Sequence, residues 1–486
     1  MKSPLLDDES AAAAFAAGAP TTPIRLSPLR FYCLLIITLI AGLQGAWWNN
    51  FGPIAAAVKP FYGWDDATIA LLSNWGPIAY FIAVGPTAYM IDEWGLRSSS
   101  IVASGLLFAG SLCRCVHVAR DTPSAALMHV GQFLNNLAGP VAMSAGPALS
   151  AQWFAPNERT AATAIVGGAN YGFSAITFAL GPLLVPSMNG TLDDTPAAAT
   201  AAGLRIYMLG QAAITGALFL GALAFPSRPP FPPSRSAATT RSSFWHGLRK
   251  LSRQRVFWCL AICYGASSGV FAGWGSMLGP NMENVLPADI AEREAGWMGF
   301  WGALLGMSGG VALGRFADTL GRKKGLLLTC CLLAAGGFAL FAAFCSGTIH
   351  VPYYAGGRAS DGGLMLALYV SSIAATIFLN STTPLFMEMA VEAVYPIAEG
   401  LTTSTLTTMN NVGCLTFLLM QNIPNVGTAW MNWACAGACA LGFVAILPLD
   451  EVRGRYAIDV AAADVGAAHQ AHAAEVAGEE DRRSAE

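Results

Sequence analysis

Charge is scarce in this sequence. Of its 486 residues only 11% are charged, against 54% hydrophobic, whereas a soluble domain carries about 25% charged residues. That scarcity excludes an ordinary soluble protein of this length. The net charge of -3, with no basic patch interleaved with aromatics, excludes nucleic acid as a partner. The 11 cysteines form no metal or disulfide framework, because no CxxC is matched by a second pair or by histidines at ligand spacing. Cys259, Cys263, Cys330, Cys331 and Cys414 lie inside apolar runs and read as small packing residues. There is no Ser/His/Asp set, metal cluster or phosphate loop, so neither an enzyme nor a cofactor is expected. The Ala-rich first 30 residues carry Asp7, Asp8 and Glu9 and lack an apolar core flanked by basic charge, which speaks against a cleavable signal peptide.

What is there is a series of long apolar runs. They fall at roughly 31–58, 67–91, 98–118, 123–151, 160–186 and 204–226, then at 256–282, 295–317, 324–346, 363–390, 397–421 and 426–448. Each has the ~20 residues a crossing of the bilayer needs. The expected fold is an all-α membrane protein with twelve transmembrane helices in two pseudo-symmetric six-helix bundles. The division is a cytosolic tail over 1–30, a first bundle over 31–226, a cytosolic linker over 227–255, a second bundle over 256–448 and a disordered tail over 449–486. The linker is Pro-rich, then basic, with Arg228, Arg235, Arg241, Arg249, Lys250, Arg253 and Arg255 and no acid. A short helix lying on anionic lipid fits that composition. With both termini cytosolic, 20 of the 26 Lys and Arg fall on the cytosolic side, as the positive-inside rule requires.

One loop stands out, Gly314-Arg315-Phe316-Ala317-Asp318-Thr319-Leu320-Gly321-Arg322-Lys323-Lys324. An Asp, a Gly three residues on and a basic cluster suit a gating latch. The carboxylate pairs with nearby Arg or Lys, Arg322 being the candidate, and with a helix N-terminus on a neighbouring element. A turn that merely obeys the positive-inside rule is the alternative. Asp92-Glu93-Trp94-Gly95-Leu96-Arg97 repeats the pattern in decayed form, keeping Asp92, a Gly and Arg97. The two aspartates lie one half of the chain plus the linker apart, as an internal repeat of six helices demands.

Further stretches carry a family likeness. They include Gln44-Gly45-Ala46-Trp47-Trp48-Asn49-Asn50-Phe51-Gly52-Pro53, Trp75-Gly76-Pro77, Leu137-Ala138-Gly139-Pro140, Gly269-Val270-Phe271-Ala272-Gly273-Trp274, Val394-Tyr395-Pro396 and Glu399-Gly400. With the loop motif they resemble the major facilitator superfamily, and within it the feline leukaemia virus subgroup C receptor family of solute carriers. The likeness covers about residues 30–460 and is nearest to the family's lysosomal branch, the disrupted in renal carcinoma protein 2 type. It implies a transporter, in a lysosomal, endosomal or plasma membrane, of choline- or pyridoxine-like solutes, with proton coupling in the lysosomal branch; haem has also been proposed for the family. Trp48 aligns with the aromatic cage position of the receptor branch. Tyr171 stands where that branch has a Gln, and the second latch is more complete than in the lysosomal branch.

The residues themselves agree with a small, weakly hydrated solute. Charge is almost absent from the spans, and their polar side chains are amides and aromatics, among them Trp48, Asn49, Tyr171, Tyr264, Trp274 and Asn411. Aromatic faces stabilise a cation by roughly 0.5–2 kcal/mol per contact. Taken singly, each Asn reads first as a helix-packing hydrogen bond and each Trp as packing or an interfacial belt. His129, at the outer end of the fourth span, is a proton-coupling candidate, with a hydrated helix-end histidine as the alternative. Asn189-Gly190-Thr191 is a glycosylation sequon in an outer loop. Pro4-Leu5-Leu6 is a weak sorting signal. The partners expected are a small-molecule substrate and the lipid bilayer, and nothing implies an oligomer. A non-transporting receptor or scaffold on the same fold is the rival reading, and the short outer loops leave no room for a ligand-binding ectodomain.

Overall fold

The computed structural model describes residues 25–115, 122–186, 194–239, 241–283, 285–286, 288–349, 362–420, 423 and 427–460. Asn189 and the Pro4-Leu5-Leu6 segment lie outside the described residues. Among the described residues every regular element is helical. The first crossing is α1 (Leu29–Trp48). Asn49 ends it, and Gly52-Pro53 bars its continuation, since proline offers no N–H and disfavours helical backbone before it. The expected helix over 31–58 is therefore two elements, α1 and the short α2 (Ala55–Tyr62). Next, α3 (Asp66–Tyr89) is capped by Asp65, whose carboxylate accepts from the Thr68 N–H at 2.8 Å, a cap of about 1 kcal/mol.

A π turn, Met90–Trp94, leads into α4 (Gly95–Cys115). The apolar stretch Leu71–Cys115 is 45 residues long, about twice what the hydrocarbon core needs, so it makes two crossings that reverse at Gly95 (φ 81). The fourth crossing is α5 (Thr122–Leu137) with α6 (Gly139–Trp153), interrupted at Ala138 before Gly139-Pro140. Then α7 (Arg159–Leu184) and α8 (Asp194–Leu223) complete the first half.

The linker holds α9 (Arg235–Ala238) and α10 (Phe244–Leu251). The second half opens with α11 (Arg255–Tyr264) and α12 (Val270–Ser276), joined by a π turn, Gly265–Gly269. After the short α13 (Leu278–Met282) come α14 (Ala288–Leu320), α15 (Lys323–Cys345), α16 (Gly362–Val394), α17 (Glu399–Met420) and α18 (Trp430–Ile446).

Each half has its own apolar core, around Ile37, Leu107 and Val166 in the first and Phe257, Leu327, Phe386 and Leu406 in the second. The halves meet where α7 packs on α14 and α16, and where α17 packs on α6 and α3. Polar side chains are buried at this seam. For example, α17 turns Thr402, Thr403, Thr407 and Asn410 inward, where neighbouring helices rather than lipid satisfy them. The linker, the loops at Asp92 and Asp318, and residues 449–460 share one end of the bundle, termed here the linker face.

Candidate functional site

Two loops close the linker face, and they are exchanged between the halves. Asp318, on the last turn of α14, accepts from the Thr160 and Ala161 N–H groups of α7 at 3.1 and 2.9 Å. Asp92, in the turn between α3 and α4, accepts from the Gly400 and Leu401 N–H groups of α17 at 2.8 and 2.7 Å. Each carboxylate thus occupies the N-terminus of a helix in the other half, where free N–H groups and the helix dipole favour negative charge. Gly400 has to be glycine, because a Cβ there would run into Asp92 Oδ1. Gly314 lets α14 approach, since a Cβ there would lie 3.2 Å from the Thr160 carbonyl. Gly95 and Gly321, each three residues after its aspartate, take φ 81 and 65 to turn the chain.

This corrects the expected pairing. Asp318 does not pair with Arg322, which is exposed and has no ion-pair partner among the described residues; the neighbouring helix end already fills both carboxylate oxygens. Arg97 likewise donates to the Leu223 carbonyl (3.3 Å), not to Asp92. The Asp92 latch, decayed in sequence, is complete in geometry, because the backbone of α17 supplies what the lost basic residues do not. Burial pushes the Asp92 carboxyl up to about 7, with the Leu401 N–H acting against it and Glu399 adding to it. Burial also raises Asp318, opposed by Thr160.

Beside each latch stands a charged residue held by a segment outside the crossings. Arg159 donates to Ser234 and Ser236 hydroxyls (2.7 and 3.1 Å) and meets Asp459 at 3.4 Å. Glu399 accepts from Arg241 of the linker at 2.7 Å. Between them lies fully buried Arg455, paired with Glu388 (2.7 Å) and Glu392 (3.2 Å), with Glu399 at 3.8 Å. Burial alone would pull the Arg455 guanidinium down, and these carboxylates more than offset it, raising it above its ordinary value. Glu388 also accepts from Ser150 and Thr163 of the first half, at 3.3 and 3.2 Å.

The tail expected to be disordered from 449 is therefore ordered and helical over 454–460, since three buried carboxylates need a cation. In the sequence, Arg241 reads only as linker charge and Glu399 only as part of a family likeness, and Arg159, Glu388, Glu392, Arg455 and Asp459 are not singled out. The available signal was Glu388, Glu392 and Glu399 at the end of spans otherwise free of acid.

Above this gate the seam narrows to a polar passage. Thr403 Oγ1 donates to the Ser144 carbonyl (2.9 Å), and the Tyr80 hydroxyl meets Thr407. A cavity of about 30 Å³ follows, lined by Asn170, Tyr171, Tyr264, Thr383, Met387 and Thr407 among others. That is room for a water or two and too little for an organic solute.

The structure brings Tyr171 and Tyr264 to this space. Asn411, one turn beyond Thr407, donates to the Thr407 carbonyl at 2.9 Å. Trp48 lies further out on the first half, 40% exposed, its indole N–H on the Ser73 carbonyl (3.0 Å) and its ring against Gly76. Asn49, next to it, caps α1. Trp274 is apart from the others, buried among Phe271, Phe338 and Phe341 with its N–H on Asn432 Oδ1 (2.7 Å). His129 Nδ1 accepts from the Trp75 indole N–H at 3.1 Å, which places the ring proton on Nε2.

Several amides bind each other. Asn170 and Asn136 both bond the Gln44 side chain (3.0 and 3.2 Å). Gln132 donates to the Trp47 and Trp48 carbonyls (3.1 and 2.7 Å) and accepts from buried Arg114 at 3.0 Å.

Paired latches on a two-fold repeat of six crossings define a transporter of the major facilitator type. The family model described as Major Facilitator Superfamily matches residues 34–355. A solute carrier family 49 member 4 homolog of Xenopus tropicalis is 35% identical, over 91% of this chain and 95% of its own length. The choline/ethanolamine transporter FLVCR1 of Mus musculus is 27% identical, over 88% of this chain and 76% of its own. Among solved structures the fold is shared with the transporter FucP in the outward conformation (TM-score 0.63, 13% identity, 86% of this chain and 99% of that one). It is shared as well with the proton:xylose symporter XylE (TM-score 0.63, 12% identity, 90% and 99%). The chain belongs to the major facilitator superfamily and, within it, to the solute carrier family that contains the feline leukaemia virus subgroup C receptors. It is a multi-pass integral membrane transporter, and its relatives are not enzymes.

Proposed function

We propose that the chain moves a small organic cation or vitamin-like amine, of the choline or pyridoxine class, by alternating access around the Tyr171–Tyr264 passage, with the linker face cytosolic. The observation that carries the reading is the lining of that passage. Tyrosines from both halves, the Asn170 amide and the Thr163, Thr383 and Thr407 hydroxyls converge there, and no charged side chain is among the lining residues. Such a lining suits a weakly hydrated cation or a neutral pyridine alcohol and offers nothing to a multiply charged anion. The relatives named as choline/ethanolamine transporters support the class.

In this cycle the double latch holds the linker face shut while solute enters from the other side, and Trp48 is the first aromatic face it meets. With its N–H tied to Ser73, the indole is a fixed platform. His129, neutral while it accepts from Trp75, is the proton-coupling candidate, since protonation removes its acceptor. Asn189 is the proposed glycan acceptor.

Uptake of labelled choline and pyridoxine into vesicles with an imposed pH gradient tests the reading. Trp48→Ala should raise the apparent substrate constant roughly tenfold, and Trp48→Phe should raise it less, because a ring face remains. No uptake of any amine or pyridine by the wild type would remove the substrate class. A pH dependence that persists in His129→Gln would assign coupling elsewhere.

A further inference from the structure

On the flank of the second half, away from the seam, a cavity of about 510 Å³ opens between α11 and α18 at the linker face. Its walls are apolar and its floor is built of small side chains, with Cys259, Cys263, Ala266 and Ala445 forming a channel flanked by Ile262 and Leu441. Ile262 and Leu441 are 59% and 58% exposed, so the channel faces the lipid. Its mouth is lined by Arg253 and Arg255. Both are exposed, and neither has a carboxylate partner among the described residues. They contrast with Arg159, Arg241 and Arg455 on the same face, each of which is paired.

The mouth is also fixed in place. The Trp258 indole N–H donates to the Leu251 carbonyl at 3.2 Å, tying the end of α10 to α11. On α10, Trp245 is 71% and Leu248 41% exposed, a pairing of apolar side chains with basic Arg249 and Lys250 that suits a helix at the level of the lipid headgroups.

An apolar channel of acyl-chain width under two unpaired guanidiniums matches one kind of ligand. We propose that this groove is a binding site for an anionic phospholipid of the leaflet on the linker face. Its phosphate lies between Arg253 and Arg255, and one acyl chain lies along Cys259, Cys263, Ala266 and Ala445. Planar guanidiniums suit a phosphate, which they bind with paired N–H groups. Charge complementarity selects the headgroup, and the small floor residues select the chain. The site is distinct from the passage between the halves and does not depend on which solute is carried.

The experiment uses the full chain, stripped of lipid in detergent and titrated with phosphatidylserine or phosphatidylcholine while bound lipid is counted by native mass spectrometry. Phosphatidylserine should be retained preferentially. The pair Arg253→Gln/Arg255→Gln should weaken its retention roughly thirtyfold, the sum of two basic contacts near a membrane surface. Ala445→Phe, which fills the channel and leaves the charge, should abolish retention too. Arg249→Gln/Lys250→Gln removes equal charge from residues that do not line the groove and should leave retention unchanged. Equal weakening by both charge pairs would show diffuse attraction and overturn the site. Displacement of the lipid by inorganic phosphate alone, or full retention in Ala445→Phe, would overturn the acyl channel.

Discussion

Gly400 and Gln132 show how much of this molecule turns on single side chains. At 400 any Cβ collides with Asp92 Oδ1, so Gly400→Ala should break the first latch from the helix side. Overpacking of this kind costs about 1–3 kcal/mol. The closed linker face should lose population accordingly, read as faster thiol modification of a cysteine placed at Ser144 in the seam. Unchanged modification would mean that the carboxylate moves aside without cost. Gln132→Leu should act differently. It strands the Trp47 and Trp48 carbonyls and leaves buried Arg114 with Ser111 as its remaining hydrogen-bond partner. Thermal unfolding in detergent should show a loss of about 1–3 kcal/mol per unsatisfied group, and a melting temperature equal to wild type would refute that reading of the relay. These amide contacts were half legible in the sequence. Amides inside spans need partners, but only the structure shows that Asn136 and Asn170 find theirs in Gln44, Asn170 while also lining the passage.

Among the elements, the tail helix over 454–460 is where sequence and structure differ most. Its composition reads as disordered, yet Arg455 is buried against Glu388, Glu392 and Glu399, and Asp459 accepts from the Ser236 N–H and hydroxyl (2.7 and 2.8 Å). A truncation that removes 450–486 takes away the cation these three carboxylates share, leaving Lys323 on Glu388 (3.4 Å) and Arg241 on Glu399 (2.7 Å). Removing one partner of a buried pair costs about 3–5 kcal/mol. The truncated chain should therefore open its linker face even with both latches intact, again read by thiol modification in the seam. Wild-type protection of the truncated chain would show the tail to be dispensable.

The Asp92 turn carries a pH prediction. Closure raises its carboxyl from an ordinary value of 3.8 to about 7, through burial first and then Glu399 and Glu93. The closed state thus binds the proton more tightly than the open one. Closure should be favoured as pH on the linker face falls through about 7 and be progressively lost as it rises. Asp92→Asn should abolish that dependence between pH 4 and 7, and its persistence would place the titrating group elsewhere.

For the whole molecule, the legible part was the fold and the repeat. Apolar runs of crossing length and the echo of Asp318 at Asp92 were enough to give two bundles of six. The exchange of the latches was not legible, because each carboxylate binds backbone N–H groups, and those carry no sequence signature. The same holds for Trp274, whose motif gives no sign that its ring turns into the core of the second half. On this geometry the two exchanged latches hold the halves together at the linker face. Spin labels at Trp94 and Leu320, both exposed beside a latch, measure it directly by the distance between them. The wild type should show mainly the short distance of the closed face. Asp92→Ala/Asp318→Ala, which removes the acceptors of four backbone hydrogen bonds whatever their protonation, each worth about 0.5–1.5 kcal/mol, should transfer most of the population to a longer distance. A distribution that is the same in the double variant and the wild type would contradict the claim.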